Sequence, residues 1–245
     1  MRLVGEDPEI TPGGSRIQRH DEARPPEMVP SGWEGQERIE EHVAQHLGPI
    51  ETVFHELVSE FVHLDVLIVE PTDERPFRTL VTCGMSSRPM EAEDPDDRYA
   101  ELLIALPADW PMGEEAWSDD RNSWPVRALK QLARMPHEYG FELGVGHTVP
   151  NGDPAEPYAR GTDLCCALVA PGQTTPEAFD ALDLPEGTVR FHALYFMHPG
   201  EVDLKLEQGM DALWSAYAEA GVTEIVDPGR PSVAGGGKKK RFGLF

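Results

Sequence analysis

A histidine two residues from an aspartate is the first arrangement in this chain that could do chemistry. His63 and Asp65 lie in the apolar run FVHLDVLIVEP, residues 61–71, and in an extended strand that spacing turns both side chains to one side. Such a pair can hold a metal or orient an imidazole as a general base. It can equally be a hydrogen-bonded couple that fixes strand register. His137 and His147 are ten positions apart, with Glu138 beside the first. This is not the helical His-Glu-x-x-His zinc arrangement, because Phe141 stands where the second histidine would fall. A metal-dependent or small-molecule enzyme centred on His63, Asp65, His137 and His147 is therefore the alternative reading. The main reading gives the His63–Asp65 pair a structural role and expects no catalytic residue, metal or cofactor.

Other nucleophile and phosphate signatures are missing. Ser86 in GMSS lacks the flanking glycines of a Gly-x-Ser-x-Gly elbow. Gly140, Gly144 and Gly146 follow a helix instead of leading a strand into one, the wrong order for a phosphate at a helix N-terminus. Of the three cysteines, Cys83, Cys165 and Cys166, the last two are adjacent in an apolar run, the ordinary setting of buried thiols. Trp110, Trp117 and Trp124 recur every seven residues. They read either as core over a helix–sheet seam or as the rim of a binding groove, since tryptophan anchors are favoured at hot spots. With His137 and His147 they are the candidate partner-binding residues.

The elements that must position these groups follow from periodicity. A helix over 35–47 carries Ile39, Val43 and Leu47 on one face and stops at Gly48-Pro49. Strands are expected over 51–57, 61–71, 78–86 and 99–106, with the second strand's His63, Asp65 and Leu67 on one face and Val62, Leu64, Val66 and Ile68 on the other. Residues 110–123 look too irregular for an element. A helix then begins on Trp124-Pro125, buries Val126, Leu129, Leu132 and Ala133, and ends at Pro136. A weak strand near 146–149 and stronger ones over 164–170 and 188–197 precede an amphipathic helix with Leu206, Met210, Leu213, Trp214 and Tyr217, which Gly209 can divide. Adjacent strands, a helix, more strands and a final helix argue for an α+β fold with a mixed, largely antiparallel sheet packed with helices.

The segments HLDV at 63–66, TCGMS at 82–86, AELLIALPADW at 100–110, the 124–151 helix and turn, and FHALYF at 191–196 before the Glu201 helix together resemble the suppressor of fused domain. The resemblance runs across roughly residues 35–220, in the manner of bacterial single-domain members. It implies a non-enzymatic protein-binding domain. Animal relatives hold a peptide of a transcription factor with the help of a second domain that has no room here, and bacterial relatives are thought to include immunity proteins against toxins.

Charge bears on the partner. Lys plus Arg number 21 against 44 Asp plus Glu, a net of −23 in 245 residues. Such a body repels nucleic acid and anionic membranes and steers basic partners toward itself. A protein partner is expected, a basic toxin domain among the options, with no nucleic acid and no integral membrane association. The apolar runs are too short to span a bilayer and the first residues lack a secretory core, so a cytoplasmic location is expected. Residues 1–33 and 222–245 read as a flexible arm and tail around a domain over 34–221. The tail ends in KKKRFGLF, a basic-aromatic segment able to meet a partner or an anionic surface.

Overall fold

Branched apolar residues fill both faces of the strands, which dictates a sheet covered on both sides. The computed structural model describes residues 9–20, 22–29, 32–56 and 60–235. Helix α1 (Gln36–Leu47) leads into strands β1 (Ile50–Phe54), β2 (Asp65–Val69), β3 (Phe77–Cys83) and β4 (Tyr99–Pro107). Helices α2 (Glu114–Trp117) and α3 (Asp120–Tyr139) follow. Strands β5 (Thr148–Pro150), β6 (Cys166–Ala170), β7 (Ala181–Leu184) and β8 (Gly187–Met197) complete the sheet, and α4 (Pro199–Gln208) and α5 (Met210–Ala220) close the series. The strand order is β1-β2-β3-β4-β8-β6-β5, with β7 also on β8. Every pairing is antiparallel except β4 with β8, which run parallel from Tyr99 opposite Val189 to Leu103 opposite Ala193. This is the α+β architecture the sequence implies.

Period-2 alternation sorts the strand residues between two cores. Val66, Ile68, Leu102, Ile104 and Leu194 meet Trp124, Leu129, Leu132 and Ala133 of α3. Leu67, Val69, Leu103, Ala193 and Tyr195 share the second core with Ile39 and Val43 of α1 and Leu213 and Tyr217 of α5. Each fully buried leucine here contributes roughly 1.5–3 kcal/mol relative to an exposed one. Among the described residues no helix is long and apolar enough to cross a membrane.

Several boundaries differ from the sequence expectation, each for a physical reason. Helix α3 starts ahead of Trp124-Pro125, because the Asp119 side chain accepts from the Arg121 N–H and caps it. The short α2 occupies part of the stretch read as irregular. Pro136 does not stop α3. His137 is buried and bonded to the Met85 carbonyl, which ties down one more turn, and the helix ends at Gly140 in the left-handed region (φ 70°). Strand β1 ends at Phe54, short of the expected 57, and residues 57–59 between the first two expected strands lie outside those described. Strand β7 was not expected at all. Gly209 (φ 92°) does separate α4 from α5.

The flanking segments also depart from the expected arm and tail. The Gly13 N–H donates to the Leu206 carbonyl (2.7 Å) and the Arg24 N–H to that of Glu138 (2.8 Å). His20 stacks on Phe141, and Arg24 and Glu27 form ion pairs with Glu91 and Arg88. At the other end, Val226 is buried and Ile225 bridges to Ala105 of β4. The domain is thus held together beyond residue 221, as far as the described chain extends. KKKRFGLF lies outside the described residues.

Candidate partner-binding surface

Four carboxylates are buried among the described residues, Asp65, Glu101, Glu201 and Glu224, and each fastens a loop. Glu101, in the centre of β4, accepts from the hydroxyls of Thr82 and Ser86 (both 2.6 Å) and from the N–H groups of Gly84, Met85 and Ser86. Burial pushes its carboxyl upward in pKa, and these donors pull against that shift. The TCGMS turn is thereby wrapped around one side chain of the AELLIAL strand. Gly84 is required for it: φ is +129°, and a Cβ there would run into the His63 carbonyl.

Glu201 lies in the first turn of α4 and has no exposed surface. It accepts from both terminal nitrogens of Arg230 (2.6 Å each), the Tyr217 hydroxyl, and the N–H groups of His198 and Val233. Burial alone would raise its pKa; the Arg230 guanidinium and these bonds bring it below the ordinary value. Glu224 holds the Gln173-Thr174 turn through two N–H groups and a hydroxyl. None of these three glutamates stood out in the sequence as a site, although a lone glutamate inside an apolar strand does signal a buried, partnered charge.

The expected pair forms, although β2 is shorter than the expected 61–71 and begins at Asp65, with His63 in the non-strand segment before it. His63 Nε2 is 3.2 Å from Asp65 Oδ1, and His55 Nδ1 is 3.0 Å from Oδ2. The Glu56 N–H also donates to Asp65, while the Glu56 carboxylate meets Lys130 and Arg134 of α3. This cluster ties the end of β1 to α3. His55 and Glu56, missed as participants, lie ten and nine residues before Asp65.

The other candidate residues go to separate places. His137 Nε2 donates to Met85 O (2.9 Å), and burial, helped by Arg88 and Arg24, lowers its pKa to about 4. His147 Nδ1 accepts from the Gly144 N–H (3.1 Å), and burial followed by the Lys205 charge lowers its pKa as well. Trp124 is core, stacked on Tyr158 and edge-on to Phe196. Trp110 and Trp117 are half-buried; the first donates to the Asn122 carbonyl and the second packs on Phe54 of β1. Among the described residues no three His, Cys, Asp or Glu side chains are grouped as metal ligands would be. The adjacent thiols of Cys165 and Cys166 face one another at 3.7 Å, both buried.

Around Glu142, burial and the carboxylates of Asp97, Glu93 and Asp94 raise the carboxyl pKa, the signature of crowded negative charge.

The family model for the suppressor of fused protein matches residues 61–231. No curated protein matches the chain. Among solved structures, a suppressor of fused homologue from Neisseria gonorrhoeae is 16% identical with a TM-score of 0.60, over 82% of this chain and 98% of that one. A structure described as the Sufu-Fu complex gives 15% identity and a TM-score of 0.59, over 81% of this chain and 92% of that one. Drosophila Suppressor of Fused gives 15% and 0.58, over 84% of this chain and 52% of that one.

Proposed function

The chain belongs to the suppressor of fused family, and from that premise we propose that it is a non-catalytic domain that binds another protein. The finer reading is an inhibitor or immunity-type role, in which the domain neutralises a basic partner such as a toxin domain in the cytoplasm. One observation carries it. Of the 44 acidic residues, all but Glu6, Asp7 and Asp21 are among those described, and of these only four carboxylates are buried, so most of the negative charge lies at the surface. A surface of this kind accelerates encounter with a basic protein and discriminates against acidic ones. The Glu91–Asp97 loop beside Glu142 concentrates that charge. The Sufu-Fu complex supports the reading by its fold, as a protein complex built on a similar domain.

The test is affinity capture with the full chain at about 50 mM salt, followed by the same capture at about 500 mM, where charges are screened within a few ångströms. The expected result is a stoichiometric basic protein lost at the higher salt. A partner held equally at both salts would overturn the electrostatic reading, and an acidic partner would overturn the proposed role.

A further inference from the structure

A cleft of about 230 Å³ opens between the approach to α1, the turn after β3, the start of β4 and the β7–β8 turn; its lining includes Trp33, Glu34, Tyr99, Glu186 and Gly187. Two glycines shape it. The Trp33 indole lies across Gly35, where any Cβ would strike the ring. Gly187 packs against the Tyr99 ring, and a Cβ there would come within 3.0 Å of it. The walls are therefore two aromatic side chains fixed by glycine contacts. Nearby hydroxyls are already engaged: Ser86 Oγ donates to Glu101 and Ser87 Oγ to the Gly84 carbonyl.

What stays unengaged defines the occupant. Glu34 and Glu186 are exposed, and neither enters an ion pair among the described residues. The cleft thus offers two aromatic walls and two carboxylates. Its complement is a planar cation. A guanidinium stacks on aromatic rings and bonds carboxylates with a rigid fork of N–H groups, whereas an ammonium is a compact, strongly hydrated charge. The N-terminus of α1 lies close by, but its half-unit of positive charge is smaller than the two carboxylates and is met by Glu37 in the first turn.

We infer that this cleft seats an arginine side chain of the protein partner, its guanidinium against Trp33, Tyr99, Glu34 and Glu186. The inference rests on the reading of the chain as a binder of a basic protein and gives that reading an address. Lysine at the same position binds more weakly, for the geometric reason above.

The experiment titrates the full chain with N-acetyl-arginine amide and follows the Trp33 indole N–H signal by NMR, assigned through Trp33→Phe. A saturable shift is expected, at least tenfold weaker both for the uncharged citrulline analogue and for the double variant Glu34→Gln, Glu186→Gln. Both glutamates are on the surface, so the variant is expected to fold. No saturable shift, or equal responses to arginine and citrulline, overturns the inference. The salt-sensitive capture is repeated with the same variant. Capture at full strength also overturns the cleft while leaving the acidic-surface reading standing, and weakened capture supports it.

Discussion

At the residue scale, the ionisable groups with the largest perturbations are turned inward and hold the fold. His137 shows how this couples stability to pH. Its folded pKa of about 4 lies below the ordinary 6.5, so the native state binds fewer protons than the unfolded chain. The contribution is present above pH 6.5 and is lost as pH falls toward 4, about 3 kcal/mol in all. His137→Gln keeps a donor for the Met85 carbonyl but has no proton to gain. Urea unfolding at pH 7 and pH 4.5 should show a shallower acid decline in the variant, and an unchanged slope would remove His137 from this role. Glu201 and Arg230 behave differently. The Glu201 carboxyl is held below its ordinary range, so its contribution is present above about pH 4.5 and lost below. Arg230→Met leaves a buried carboxylate without its cation and should cost about 3–5 kcal/mol at pH 7. That penalty should shrink near pH 4, as the carboxyl takes up a proton; an equal penalty at both values would argue for lost packing alone. The nearness of His63 to Asp65 was legible from their two-residue spacing, although only Asp65 belongs to β2. The partners of Glu101 and Glu201 were not, because a sequence shows that a glutamate is embedded in apolar residues without showing which distant loop returns to it.

At the element scale, local rules served where no long-range contact opposed them. Gly209 divides the final helices, and the apolar stripes of α1 and α3 face the cores as their spacing implies. Pro136 misled because a bond from the next residue to another element outweighs a missing backbone donor. The four residues of β7 escaped notice because their pattern is short and half-polar, and only β8 gives them a place. The N-terminal segment contains prolines and charges that favour disorder in isolation, yet it is docked through Gly13. A side chain there would meet the backbone of Lys205, Leu206 and Gly209. Gly13→Val should therefore release the segment without unfolding the domain. Trypsin should cleave at Arg16 and Arg19 at least tenfold faster, with the urea midpoint nearly unchanged; equal cleavage rates would show that Gly13 is not the anchor.

For the whole molecule, the periodicities foretold the layered α+β architecture, but not where the fold ends. Glu224, Val226 and Arg230 lie beyond the expected limit at 221 and close the domain against β8, β4 and α4. A chain ending after Gly221 should lose several kcal/mol or fail to fold, because Glu201 then keeps its burial without Arg230. A chain ending after Gly235 should unfold at the full-length midpoint. Equal midpoints for the two truncations would refute this account. The parallel pairing of β4 with β8 carries a further consequence, for the order of assembly. Strands β1 to β4 form a meander of near neighbours in sequence, and β5 to β8 gather from a second stretch, whereas β4 and β8 meet only after a long excursion of chain. Loop closure makes such distant pairings slow. The two halves of the sheet are therefore expected to gain protection from amide hydrogen exchange early during refolding, with the β4–β8 seam joining last. Simultaneous protection across the seam would mean that the halves do not form independently.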